Sequence, residues 1–597
     1  MDIEKLATAA VVESISLTDV LSPFINDGDK EPSWDGNIYI YQDKSKTKKG
    51  IKKVPVQVKG EVRKVFPPKG ELKFRASVVD LDNWLADGGV ILFVVLLDES
   101  GKSKSIYYSA LLPVKIRYLK ESHPNRKTVN IPLILFPNDN DRKVSVLLDF
   151  YDHMQKQTSF ANSPLYSIEE LESEGVLENV SFYVTTYGKH PTEQEIETIV
   201  LQNGLNLYAN VKGSPIPHPL PGISTDVHIA KDIHADVVAG GNVFYQNYRV
   251  IRFADGMDIL IGKSTVLKNR PGKKKSELKF KLKGMLSDYI RDTEFLIALI
   301  ENKSVVINGA TISFDEMGEI DVEPYKNHLA YYRDVKKMLD LLGVKKELNC
   351  EGLTEQDETN IRNFTNALVY GKPIRFKDFE ETVLYGRYNL GNLVVLIWAN
   401  KQPDGSFCLQ SYFSDHRIAA FEGCDENKAR PHPISQYVFL KKDDFLDAAN
   451  IDYRKIVDDL DKNEISTVVT DQITLLMLEM LKAYDEQTQK DHELLATAER
   501  YCDWLTENSE GFEESMTLNR LQIIKRQRDF TQDEISTLLE LRKSNHSFAI
   551  RCGANLLLGK AESSQDCFDE MEPEEKAQFI TFPICHFGNL TYNKAEE

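Results

Sequence analysis

Eight consecutive apolar residues, Val90–Leu97 (VILFVVLL), constrain this chain more than any other stretch. A helix crossing a bilayer needs about 20 such residues. The run is far too short for that, and its Val-rich composition and length predict a buried strand. A chain of 597 residues also exceeds what one hydrophobic core can organise, which predicts about three to five domains. Apolar residues make up 42% and charged residues 28%, the balance of a water-soluble globular protein. The opening MDIEKLATAAVVES places acids where a secretory signal has basic residues, so a cytoplasmic protein without membrane association is expected. The cysteines at 350, 408, 424, 502, 552, 567 and 585 form no CxxC pair. They predict free thiols, with neither a zinc module nor a disulfide framework.

The formal charge of −19 argues against a protein that coats nucleic acid with its whole surface, but it leaves room for a local basic groove. Two runs are candidates. KSKTKKGIKK carries six lysines between Lys44 and Lys53, and Lys263 to Lys283 holds nine basic residues against Glu277. The first is the stronger candidate for phosphate contact because of its flanks.

Those flanks read as a helix and a hairpin. Ile3, Leu6, Ala10, Glu13 and Leu17 are spaced three and four apart, which puts Glu13 on the apolar side of a short helix. A carboxylate buried there needs a partner such as a metal ion or a basic side chain; the alternative is that the face is rotated slightly and Glu13 reaches solvent. From Asp35 to Tyr41 residues alternate, with Ile38 and Ile40 on one face. After the lysine-rich tip the chain returns as VPVQVKG, with Val54, Val56 and Val58 opposite Gln57 and Lys59. Pairing these strands brings Asp35, Gln57 and Lys59 onto one surface, near Glu13 if the helix packs over it. A carboxylate, an amide and a lysine so placed can hold a hard divalent ion and act on water and phosphate.

The order of helix glutamate, strand aspartate followed by glycine, and Q-x-K in the next strand resembles the PD-(D/E)xK nuclease superfamily. It is most similar to the variant with glutamine in place of the second acid, found in DUF4365- and DUF4297-type domains of bacterial anti-phage systems. The matching residues are Glu13, Asp35 in W-D-G, and Gln57 and Lys59 in V-Q-V-K-G. The helix around Leu81 to Leu85 and the strands Val90 to Leu97 and Ser105 to Leu111 follow in the family's order, so the resemblance covers residues 1–115. It implies a restriction-endonuclease-like α/β/α module with Glu13, Asp35, Gln57 and Lys59 as site residues. Asp35, Glu13 and Gln57 would be ligands of magnesium or manganese, and Lys59 would position or activate water. It implies an endonuclease acting on DNA as a defence effector, with self-association to cut both strands and a separate ATPase or sensor protein as partner. The family often carries another acid before the aspartate, and Asp27 and Asp29 are the candidates. The rival expectation is a catalytically inactive nucleic-acid-binding or scaffold protein that recruits partners through its helical region.

The remaining chain divides by pattern. The expected domains are 1–160, the nuclease module with edge loops; 161–222, a helical connector and proline-rich linker; and 223–321, a β-rich domain. A mixed α/β region at 322–442 and a helical protein-interaction region at 443–597 follow. Within them TEQEIETIVLQNG reads as a helix, GSPIPHPLPG as a linker, and EFLIALI and SVVINGATISF as strands. Gly256, Gly262, Lys263 and Ser264 imitate a phosphate loop, but their spacing and strand-like surroundings exclude it. His218, His228 and His234 fit no ligand spacing and read as surface or structural residues. RLQIIKRQR reads as a solvated helix face.

Overall fold

A computed structural model describes residues 1–26, 33–64, 66, 72–188, 191–221, 227–254, 256–270, 277–314, 319–375, 383–414, 421–425, 428–432, 434–463, 465–508, 513–543 and 545–592. The chain forms two compact units. One comprises Met1–Lys281 with Asn302–Asp315, and the other Leu282–Glu301 with Glu316–Glu597.

The first unit opens with helix α1 (Ile3–Ser16), capped by the Asp2 carboxylate, which accepts from the Lys5 amide at 3.2 Å. The elements that follow are strands β1 (Leu21–Ile25), β2 (Gly36–Ile40), β3 (Lys52–Val62) and β4 (Lys73–Ser77), then helix α2 (Val78–Ala86). Strands β5 (Val90–Leu97) and β6 (Lys104–Leu111), helix α3 (Pro113–Glu121), strands β7 (Thr128–Pro132) and β8 (Ile134–Leu135) and helix α4 (Asn140–Gln157) complete the module. Six strands form one sheet in the order β1-β2-β3-β5-β6-β8, with β3 and β5 parallel and every other pair antiparallel. Strand β5 is buried along its whole length, as its composition predicts. Ile91, Phe93, Val95 and Leu97 pack with Val11 and Ile15 of α1 and Leu147 and Phe150 of α4. Val90, Leu92, Val94 and Leu96 pack with Leu81 and Trp84 of α2 and Ile116 of α3.

Helix α1 is rotated from its expected setting. It buries Ala7, Thr8, Ala10, Val11 and Ile15, while Leu17 is exposed and the Glu13 side chain is 71% exposed beside Lys104, at 3.6 Å. Two stripes share Ala10, and packing selects the narrower one. A Cβ at Gly60 of β3 would lie 2.6 Å from Ile3 Cγ2 and 2.8 Å from the Ile3 carbonyl oxygen. The first turns of the helix, at Ile3 and Ala7, therefore approach bare backbone that a side chain at residue 60 would obstruct.

The rest of this unit is β-rich. The stretch expected to be mainly helical includes helices Ile168–Ser173 and Glu193–Asn203, but also a strand, Leu177–Phe182. That strand pairs with Leu207–Val211, which pairs in turn with His218–Pro219. The expected linker thus closes a small sheet and buries Leu220 with Leu171 and Ala209. Pro219 is tolerated because an edge strand does not need its missing N–H. His218 is structural, with Nε2 3.0 Å from Ser214 Oγ. Five antiparallel strands between Ile229 and Phe280 follow, and Val237–Ala239, Asn242–Tyr245, Ser304–Ile307 and Ala310–Ser313 make a second sheet. Gly262 lies in the turn between the paired strands Gly256–Ile261 and Thr265–Asn269, so no helix opens where a phosphate loop would need one.

In the second unit EFLIALI is not a strand but part of helix Leu286–Asn302, where Phe295, Leu296, Leu299 and Ile300 are buried. Seven apolar-rich residues fit either period, and the preceding LSDYIRDT extends the helical one. Helices Glu323–Leu342 and Glu355–Tyr370 pack with strands Val383–Leu390, Leu393–Lys401 and Phe407–Ser411. The region expected to be helical includes helices Thr467–Glu486, His492–Asn508, Glu513–Gln527, Gln532–Leu541 and Phe548–Leu557. RLQIIKRQR is no free basic face: Arg520 pairs with Asp503, Arg528 with Glu534, and Arg526 is buried against Asp485. Among the described residues no helix is long and apolar enough to cross a membrane.

One core crosses the position expected to separate the last two regions. Leu396, Trp398, Tyr412 and Phe413 pack in the same cluster as Ile473, Met477, Leu495 and Tyr501. Truncation after residue 442 is therefore expected to unfold the remainder of the second unit instead of trimming it. Circular dichroism of the truncated chain should show the loss of a cooperative transition, and a preserved transition would contradict a shared core.

Candidate functional site

The β2–β3 hairpin aligns Gly36 with Val56 and Ile38 with Val54. Asp35 stands just ahead of β2, where its N–H donates to the Val56 carbonyl at 3.1 Å and its carbonyl accepts from the Asn26 N–H at 2.9 Å. Its main chain is thus held from both neighbouring strands. Asp35 Oδ2 accepts from the Val58 N–H at 2.7 Å and from Gln57 Nε2. Gln57 is buried and Lys59 exposed, and both lie on the face of the sheet that carries Leu92 and Val94.

Two features fix this position. Gly36 has φ 146°, and a Cβ there would fall 2.1 Å from the Phe24 carbonyl oxygen of β1. Gly36→Ala is expected to destabilise the module by about 1–3 kcal/mol, read from denaturant unfolding. Unchanged stability would mean that the β1–β2 contact is not needed. On the other side, Ser33 is clamped by α2: its carbonyl accepts from Trp84 Nε1 at 2.7 Å, and its hydroxyl donates to Asp80 Oδ1 at 2.8 Å and accepts from Asn83 Nδ2 at 2.9 Å. Two residues later the chain delivers Asp35.

Burial raises the Asp35 pKa above the usual carboxylate range, and the nearby charge of Glu4 adds to the rise. The Val58 N–H and the Lys59 charge act the other way. A carboxylate left poorly solvated beside a second acid is stabilised by a cation. Glu4, in the first turn of α1, was not singled out by the sequence pattern. Glu13 lies nine residues further along the helix, roughly 13 Å at the helical rise, and its side chain turns to Lys104. The signal for Glu4 was the stripe Thr8, Val11, Ile15, whose helical continuation toward the N-terminus is residue 4.

The structure thus brings Asp35 and Gln57 into contact, puts Lys59 and Glu4 within electrostatic reach, and leaves Glu13 outside. Asp27 and Asp29 lie outside the described residues. Among the described residues no group of three or more His, Cys, Asp or Glu side chains is arranged to hold a metal ion. The groups in contact are the Asp35 carboxylate and the Gln57 amide, which offers oxygen if turned end for end, with the Glu4 charge within electrostatic reach.

The basic runs are partly consumed by the fold. Lys44 pairs with Asp19 at 2.6 Å, Lys46 donates to the Leu21 carbonyl at 3.0 Å, and Lys52 pairs with Asp152 at 2.8 Å. In the second run Arg270 and Lys268 lie 2.7 and 3.7 Å from Asp258, and residues 271–276 are outside the described set. Comparison with family models, curated proteins and solved structures finds no match to this chain.

Proposed function

We propose that the N-terminal module is a metal-dependent endonuclease of the PD-(D/E)xK type that hydrolyses phosphodiester bonds of DNA. The observation that carries this reading is the convergence of Asp35, Gln57 and Lys59 at adjacent strands, around a carboxylate whose charge the fold solvates poorly. The order α1, antiparallel β1, β2 and β3, then β4, α2 and finally β5 parallel to β3 supports a restriction-endonuclease-like arrangement.

Asp35, Glu4 and the amide oxygen of Gln57 are the groups that would hold magnesium or manganese. When bound, the ion supplies Lewis acidity toward phosphate and acidifies water. Lys59 orients the attacking water and offsets the negative charge that grows on the phosphate. Glu4 takes the helix position first assigned to Glu13. The second unit offers the protein-contact surface for activation, with self-association and a separate ATPase or sensor as the proposed partners of a defence effector. The test is incubation of the full chain with DNA and RNA in magnesium, in manganese and in chelator. Metal-dependent cleavage of DNA is expected, and cleavage that ignores chelation would reject the reading.

A further inference from the structure

We infer that the pocket formed by Arg75, Arg126 and Lys127 is a second anion site, which holds the phosphodiester backbone of nucleic acid. Nucleic acid as the occupant rests on the proposed function; the site stands on its own geometry. Strands β4 and β7 pair antiparallel, with Arg75 opposite Asn130 and Ser77 opposite Thr128. Alternation sends Ala76, Val129 and Ile131 into the core and leaves Arg75 and Asn130 exposed on the outer face. Arg126 and Lys127 come from the residues just ahead of β7.

Together these residues line a cavity of about 360 Å³, and no carboxylate is among its lining groups. Arg75 Nε donates to Thr128 Oγ1 at 2.8 Å, which orients the guanidinium and leaves its terminal nitrogens for a ligand. Among the described residues none of the three cations has an ion-pair partner. In the lysine-rich tip, by contrast, Lys44 and Lys52 are paired with acids. Three neighbouring cations without counter-charge repel one another, an arrangement that an anion relieves. In a chain of net charge −19, a polyanion also needs such a local positive surface to approach.

The pocket is tied to the candidate centre. Asp80 accepts from Ser77 Oγ at 2.6 Å and from Ser33 Oγ at 2.8 Å. One carboxylate therefore joins the strand end opposite Thr128 to the loop two residues before Asp35.

The test is fluorescence anisotropy of the full chain with labelled duplexes of two unrelated sequences, in chelator, over a range of salt. Wild type is compared with Arg75→Gln/Arg126→Gln/Lys127→Gln, with exposed Arg126→Gln alone as the least disruptive variant. The slope of log affinity against log salt should fall by about 1 per contact removed, roughly 2 to 3 for the triple variant, equally for both sequences. An unchanged slope in folded variants overturns the inference. So does a wild type that binds inorganic phosphate here but no duplex. If the slope falls but no variant or wild type cleaves, the nuclease reading fails and this site stands. If cleavage requires Asp35 while the slope is unchanged, the reverse holds.

Discussion

Asp35→Asn is expected to lower DNA cleavage by on the order of 10²- to 10⁴-fold, with magnesium binding lost in parallel. The substitution keeps the shape of the side chain and removes the charge that would hold the ion. Lys59→Ala should reach a similar loss of cleavage while magnesium binding, read by calorimetry, stays near wild type. Gln57→Ala should be milder, because water can replace a neutral amide. Glu13→Gln should leave cleavage unchanged, whereas Glu4→Gln should weaken it. Burial and Glu4 place the folded pKa of Asp35 above its unfolded value. Activity should therefore fall on acidification at a pH above the ordinary carboxylate range. The same shift has a sign for stability: the Asp35 contribution is fullest below the unfolded pKa and is lost as pH rises through the folded one. In chelator at neutral pH, Asp35→Asn should accordingly not lower the unfolding temperature. Cleavage that survives both Asp35→Asn and Lys59→Ala in folded protein would remove the catalytic assignment and leave the binding or scaffold reading.

The largest stability effect is expected at Arg526. Its side chain is 3% exposed and that of Asp485 10%, and Nε donates to Asp485 Oδ1 at 2.8 Å. The guanidinium also donates to the carbonyls of Gln522 at 2.8 Å and Pro583 at 2.9 Å, and it stacks 4.7 Å from the Phe587 ring centroid. One residue thus joins helices Thr467–Glu486 and Glu513–Gln527 to the turn Pro583–Phe587. Arg526→Ala leaves the buried Asp485 with His586, whose Nε2 lies 3.9 Å from Oδ1, as its remaining basic neighbour, and should cost about 3–5 kcal/mol, while Arg526→Met with Asp485→Leu should recover much of it. Denaturant unfolding of the full chain measures both. A loss well under 1 kcal/mol for the single variant would show that water reaches Asp485 freely.

The expected surface hairpin illustrates how far local pattern reaches. Alternation of period two put Ile38, Ile40, Val54 and Val56 inward and Gln57 and Lys59 on the opposite face, and each of these is where the structure has it. Val90–Leu97 reads as a buried strand, and residues 443–597 read as a helical region. Such features follow from the chain alone, because backbone geometry sets the period and burial selects the apolar side. Tertiary structure decided what no local period contains. It put Glu4 within electrostatic reach of Asp35 and turned Glu13 toward Lys104, since two helical stripes differ by a rotation that costs little in isolation. It turned His218–Pro219 into an edge strand because a partner was waiting in Leu207–Val211. It spent Lys44 and Lys52 on acids while assembling Arg75, Arg126 and Lys127, some fifty positions apart, into one pocket whose cations have no ion-pair partner among the described residues. Charge acts through space, so the potential at a site depends on which strands pair and not on which residues are neighbours along the chain.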